Sequence, residues 1–131
     1  MLREVHLKFT KELTDTLTIQ NINSNGILIN DKLWPNIIAL TAQEIVEDWP
    51  KVEVSELTDV HFSTLIKYQP EIIIVGTGRE NIFAPRELMF SFARRGIGLE
   101  LMSTPAAART FNVIASEGRP VAAVLYPIAQ N

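Results

Sequence analysis

The residues best suited to chemistry are Gly76-Thr77-Gly78-Arg79 and Ser103-Thr104. Each group follows an apolar run, Glu71–Val75 and Ile97–Met102, and each precedes a helical pattern opened by a proline, Pro85 or Pro105. A β-branched apolar run that stops at glycine reads as a buried parallel strand. In open α/β sheets, ligands bind outside the carboxyl ends of such strands. Two helix N-termini on adjacent parallel strands would point to one sheet edge with free N–H groups and partial positive charge, which is anion-binding chemistry. Thr77, Ser103 and Thr104 would add hydroxyls and Arg79 a cation. The expected site for phosphate or sulfate is therefore Gly76, Thr77, Gly78, Arg79, Ser103 and Thr104. The simpler reading is that Ser103 or Thr104 caps its helix and that Arg79 is solvated.

Nucleotide chemistry fits this loop poorly. Gly76-x-Gly78-x-x-Asn81 lacks the third glycine of the dinucleotide fingerprint, and the stretch before Pro85 is too long for its tight turn. Met102 and Ser103 stand where a ribose-holding acid belongs. The two histidines, His6 and His61, fall on a predicted strand and a short predicted helix without ligand spacing or a neighbouring nucleophile. They read as surface or capping residues. The chain has no cysteine, which excludes disulfides, thiolate metal sites and a Cys nucleophile. Glu44, Glu47 and Asp48 lie at roughly helical spacing and read as a solvated face, and Trp34 and Trp49, each before a proline, as packing anchors. Arg94-Arg95 is too small a basic cluster for nucleic acid. No catalytic residue, metal or cofactor is expected, and the balance leans away from an enzyme.

Two helical patterns carry candidate interaction surfaces. On the helix from Pro85 to about Arg95, Leu88, Met89, Phe92 and Ala93 form the apolar stripe. Phe90 falls outside it, between Arg86 and Arg94, and aromatic residues with arginine are enriched at interfaces. On the helix from Pro105, Ala107, Ala108, Phe111, Ile114 and Ala115 face the core, while Arg109, Asn112 and Ser116 share the opposite face toward solvent or a partner. The expected interface residues are Arg86, Phe90, Arg94, Arg109 and Asn112, on a partner protein or a second copy.

The elements that must position these residues follow from patterning. The 131 residues, 47% hydrophobic and 21% charged, suit one domain spanning 1–131. A net charge of -3 and a pI of about 5.4 argue against a nucleic-acid grip. No apolar stretch approaches the ~20 residues of a membrane span, and the N-terminus lacks a signal-peptide pattern; the cytoplasm is the expected location. In the first half, Val5, Leu7 and Phe9 alternate with polar residues as in a strand. Thr18–Ile22 and Gly26–Ile29 flank an Asn25-Gly26 hairpin signal; Asn30-Asp31-Lys32 is a further turn, and Asn36–Leu40 another strand. Thr41–Glu56 is ambiguous. Thr58 or Asp59 caps a short helix to Tyr68. In the second half, strand, helix, strand, helix and strand alternate, which implies right-handed crossovers and parallel pairs. Gly96 suits a helix C′ position. The short Arg119-Pro120 link leaves open an antiparallel last strand, Val121–Leu125.

Gly76-Thr77-Gly78 after its isoleucine-rich strand, Ser103-Thr104-Pro105-Ala106-Ala107-Ala108-Arg109-Thr110-Phe111-Asn112, and Glu117-Gly118-Arg119 together resemble a domain family of unknown biochemical function. That family includes the mitochondrial complex I assembly factor NADH dehydrogenase alpha-subcomplex assembly factor 3 and an adipogenesis-associated domain protein. The resemblance covers most of the chain. It implies a three-layer α/β domain with a mixed central sheet flanked by helices plus a β-hairpin element, and it supplies no catalytic residues. The function it implies is a non-enzymatic binding or assembly-type module; the alternative is a small anionic ligand-binding protein or enzyme using the Gly76–Arg79 loop.

Overall fold

A computed structural model of the chain describes residues 16–46 and 49–128. The predicted strand at Val5, Leu7 and Phe9, together with His6, Glu47 and Asp48, lies outside those residues. The described strands are β1 (Ile19–Asn23), β2 (Gly26–Ile29), β3 (Lys32–Trp34), β4 (Ile38–Thr41), β5 (Ile45–Val46), β6 (Ile72–Thr77), β7 (Gly98–Met102) and β8 (Val121–Tyr126). The α-helices are α1 (Ser63–Lys67), α2 (Arg86–Arg95) and α3 (Thr104–Ser116), with 3₁₀ turns at Val54–Glu56 and Asp59–Phe62.

β6 is the hub. It pairs in parallel with β7 on one side and β8 on the other, and the sheet runs β5-β4-β8-β6-β7, with β4 antiparallel to β5 and β8. Both faces of β6 are covered, as its unbroken apolar sequence requires. Ile74 is buried on the face packed by α3, while Ile73 and Val75 are buried on the face packed by α2 and α1. Ile72 is partly buried on the Ile74 face. β8 divides in the same way, with Ala123 and Leu125 on one side and Ala122 and Val124 on the other. A separate antiparallel sheet, β1-β2-β3, lies on the α3 side and contributes Ile19, Ile27 and Ile29 to that core. These are three layers around a mixed sheet.

The last strand runs parallel to β6, so the antiparallel option is corrected. The reversal is made by α3 itself, whose 13 residues carry the chain back to the starting end of the sheet. The following Gly118–Pro120 link then only has to feed β8 in. Local signals place the turns. Asn30 and Asp31, both at positive φ (45° and 70°), form the two-residue loop between β2 and β3, the conformation a tight hairpin favours. The β1–β2 turn falls one residue earlier than Asn25-Gly26, because Gly26 already pairs with Asn23. α2 ends at Gly96 with φ 71°, as its C′ glycine predicts.

The ambiguous stretch 41–56 holds the short strand β5 and a 3₁₀ turn where it is described. Glu44 is therefore not on a helical face; its carboxylate accepts a hydrogen bond from the Tyr68 hydroxyl. The stripe expected on α2 is also corrected. Leu88 and Phe92 are buried, but Met89 and Ala93 are exposed and Ser91 is buried. The Ser91 hydroxyl donates to Asp59 at 2.9 Å, and Arg95 pairs with the same carboxylate at 3.5 Å. This polar tie sets the rotation of the helix, and apolar periodicity cannot register it.

Ile74→Asp is expected to unfold the domain. It would place an unpaired carboxylate in a fully buried apolar site, and that cost rivals the ~5–15 kcal/mol of a whole domain. Circular dichroism melts check this: the variant should show no cooperative transition at temperatures where the wild type is folded.

Candidate functional site

The carboxyl ends of β6, β7 and β8 meet at one edge of the sheet, and the sequence-predicted anion residues cluster there in two groups with different roles. The first group locks α3 onto the sheet. The Thr104 hydroxyl is fully buried; it accepts a hydrogen bond from the Gly78 N–H at 2.8 Å and donates to the Tyr126 carbonyl at 2.6 Å. The Thr104 N–H in turn donates to the Gly78 carbonyl at 2.8 Å. Gly76 permits this approach, since a Cβ there would lie 2.8 Å from the Thr104 hydroxyl and 2.9 Å from its Cα. The Ser103 hydroxyl accepts from the Ala106 N–H at 3.4 Å and caps α3. The Thr77 hydroxyl is buried and bonds the carbonyls of Glu80 and Met102. Gly76, Thr77, Ser103 and Thr104 are thus internal joints, and the Gly78 backbone is committed as well.

The two helix N-termini do not converge. α2 packs on the Ile73–Val75 face and α3 on the Ile74 face, because crossovers leaving the edge in opposite lateral directions put their helices on opposite sides. Of the predicted anion residues, Thr77, Gly78 and Arg79 line a cleft of about 630 Å³ beside Tyr126 and the 51–55 segment. Ser103 and Thr104 are not on its lining. The Tyr126 hydroxyl donates to the Val52 carbonyl at 2.7 Å. Burial pushes this phenol up to about 12, with the nearby Trp49 indole opposing the rise and the Glu53 carboxylate adding to it.

The predicted interface residues divide similarly. Arg86, Phe90 and Arg94 are exposed on one side of α2, and Phe90 and Arg94 border a groove of about 720 Å³ against the 55–59 segment. Arg109 is exposed beside a shallow hollow of about 220 Å³ between β1 and α3. Asn112 is used inside the fold. Its side-chain amide accepts from the Ile19 N–H at 3.0 Å and donates to the Ile19 carbonyl at 2.8 Å, which pins the small sheet to α3. His61 caps its 3₁₀ turn, where its Nδ1 accepts from the Thr58 N–H at 3.0 Å. Sequence patterning missed Ile82 and Phe83, which are 41% and 93% exposed in the loop before α2. The signal that could have found them is an apolar pair within a glycine-to-proline loop that has no element to bury it. Among the described residues, no three His, Asp or Glu side chains are grouped to hold a metal, and no helix is long and apolar enough to cross a membrane.

This fold is similar to that of a Bordetella pertussis protein described as an Mth938-like domain, with a TM-score of 0.74 at 24% identity over 88% of each chain. Residues 19–126 match the family described as Protein of unknown function (DUF498/DUF598), and the chain belongs to that family. A Xanthomonas campestris protein solved by NMR is 33% identical with a TM-score of 0.77, covering 85% of this chain and 84% of that one. The rat protein named NADH dehydrogenase [ubiquinone] 1 alpha subcomplex assembly factor 3 is 32% identical over 118 residues. That match covers 88% of this chain but 63% of the rat protein, so the chain spans less than two thirds of that relative's length.

Two measurements probe this edge. Thr104→Val keeps the shape but leaves the Gly78 N–H and Tyr126 carbonyl without their bridge; it should cost about 1–3 kcal/mol, against about 1 kcal/mol for Ser103→Ala, which removes only a cap. Urea unfolding of both variants checks the order. The second concerns alkali. Unfolded, the Tyr126 phenol loses its proton near pH 10; folded, it keeps it to about 12. Between those values the folded state binds more protons, so stability, level below pH 10, falls as pH rises from about 10 to 12. Melts across that range should show a shallower fall in Tyr126→Phe than in the wild type.

Proposed function

We propose that this protein is a non-enzymatic binding or assembly-type module of the cytoplasm that works through protein contacts, and that the working surface is the stretch from Ile82 to Arg94. The observation that carries this is a row of exposed apolar side chains in nine consecutive residues: Phe83 is 93% exposed, Phe90 55%, and Ile82 and Met89 41% each. A ring left in water forgoes roughly 1.5–3 kcal/mol of burial, and apolar side chains grouped on a surface mark contact sites more often than isolated ones do. Arg86 and Arg94 stand one turn either side of Phe90 and supply the guanidinium groups favoured at interfaces. The rat relative's name supports the same class of activity, since it describes an assembly factor. Linkage of this chain to respiratory-complex assembly is part of the proposal, as is the absence of a nucleic-acid partner.

The test is Phe83→Asp with Phe90→Ala, compared with wild type by sedimentation velocity and by quantitative affinity capture from native lysate. Loss of a buried anchor costs a complex about 2 kcal/mol or more, whereas exposed substitutions shift folding stability by about 0.5 kcal/mol or less. Association should fall while the melting temperature holds. Unchanged association, or a large loss of monomer stability, would overturn the reading.

A further inference from the structure

The cleft of about 630 Å³ outside the carboxyl ends of β6 and β8 shares only Ile82 with the proposed contact surface. Its size falls within the ~300–1,000 Å³ of small-molecule sites. Its position is outside the carboxyl ends of the parallel strands β6 and β8, where open α/β sheets hold ligands. The start of β4 closes the same edge, because β4 runs antiparallel to β8 and brings Ile37 beside the β8 terminus.

The lining is graded. Deep in the cleft, Val54 is buried at 5% exposure and Thr77 at 6%, with Ile37 and Tyr126 partly buried. At the rim, Ile82, Lys51, Glu53 and Arg79 are exposed. The inner wall is therefore apolar and aromatic, and the rim carries two cations against one carboxylate. The backbone offers little to a bare anion, since the Gly78 N–H and carbonyl both bond Thr104 and the Tyr126 carbonyl accepts the Thr104 hydroxyl. Phosphate held by a glycine loop is thus disfavoured. A ligand here must gain its affinity from apolar contact inside and charge outside.

We propose that this cleft binds a small amphipathic carboxylate, with an apolar body seated against Val54, Ile37 and the Tyr126 ring and its single negative charge at the Lys51–Arg79 rim. The Lys51 and Arg79 side chains at the rim suit a single carboxylate head group above an apolar wall. Guanidinium and ammonium groups are the usual partners of such a head group.

The test is an amide chemical-shift titration of the full chain with sodium octanoate, with acetate, octan-1-ol and inorganic phosphate as parallel arms. Octanoate is expected to shift Ile37, Val54, Gly78, Ile82 and Tyr126, with acetate and phosphate much weaker. Lys51→Ala with Arg79→Ala should weaken octanoate about tenfold, the scale of one lost charged contact, and leave octan-1-ol binding unchanged. Both substituted positions are exposed, and melts are run alongside; if the double variant fails to fold, Lys51→Glu alone is read against the same expectation. Shifts confined to another region, no shifts at millimolar octanoate, equal affinity for octanoate and octan-1-ol, stronger binding of phosphate, or an unaffected variant would each overturn the proposal. The substitutions leave Phe83 and Phe90 untouched, so failure here is distinct from failure of the protein-contact surface.

Discussion

One buried hydroxyl holds the working edge of this molecule together. Thr104 accepts from Gly78 just past the end of β6, donates to Tyr126 at the end of β8, and begins α3. Three elements far apart in the chain are thereby fixed at a single atom. Because that atom is fully buried, each of its partners would be left unsatisfied without it. The close approach depends on the missing side chain at Gly76, where any Cβ would collide with Thr104. The Gly78 N–H and carbonyl, which a phosphate loop would offer to a ligand, are here bonded to Thr104, so this glycine pattern serves the joint between strand and helix.

The strength of a signal in the sequence tracks how local its cause is. β6 is legible because alternate burial of Ile73, Ile74 and Val75 needs only period-2 geometry. The end of α2 is legible because Gly96 alone can supply the left-handed cap cheaply. The face of α2 is not, because Ser91 is buried with its hydroxyl bonded to Asp59, a residue more than thirty positions earlier. The Ser91 hydroxyl in turn holds the Asp59 carboxyl below its ordinary range, with Arg95 adding to the effect against the opposing influence of burial. The bonds of Asn112 to the small sheet escape helix periodicity for the same reason: its partner, Ile19, is 93 residues away. The direction of β8 was undecidable from its short link, because the length that matters belongs to α3.

The site followed the same rule. The loop ends were placed at the correct sheet edge from strand and proline signals alone. What those signals could not give was the side of the sheet each loop serves. Opposed crossovers send α2 and α3 to opposite faces, so Arg79 lines the cleft of about 630 Å³ while Ser103 and Thr104 do not. Its inner wall comes from the start of β4 and the 51–55 segment, a region without a readable period.

The two candidate surfaces are linked through the chain between Gly78 and Pro85. Ile82 lies on the cleft lining, and its neighbour Phe83 is, among the described residues, the most exposed large apolar side chain. Any occupant that draws Ile82 inward must move the adjacent backbone, and consecutive residues in extended chain point to opposite sides. The loop between Thr77 and Pro85 therefore carries a residue of the cleft lining and an exposed aromatic side by side. Thr77 is anchored by the Glu80 and Met102 carbonyls, and Pro85 leads into α2, whose rotation Asp59 fixes. Ile82 and Phe83 stand between these two anchored ends, in a stretch with no helix or strand of its own.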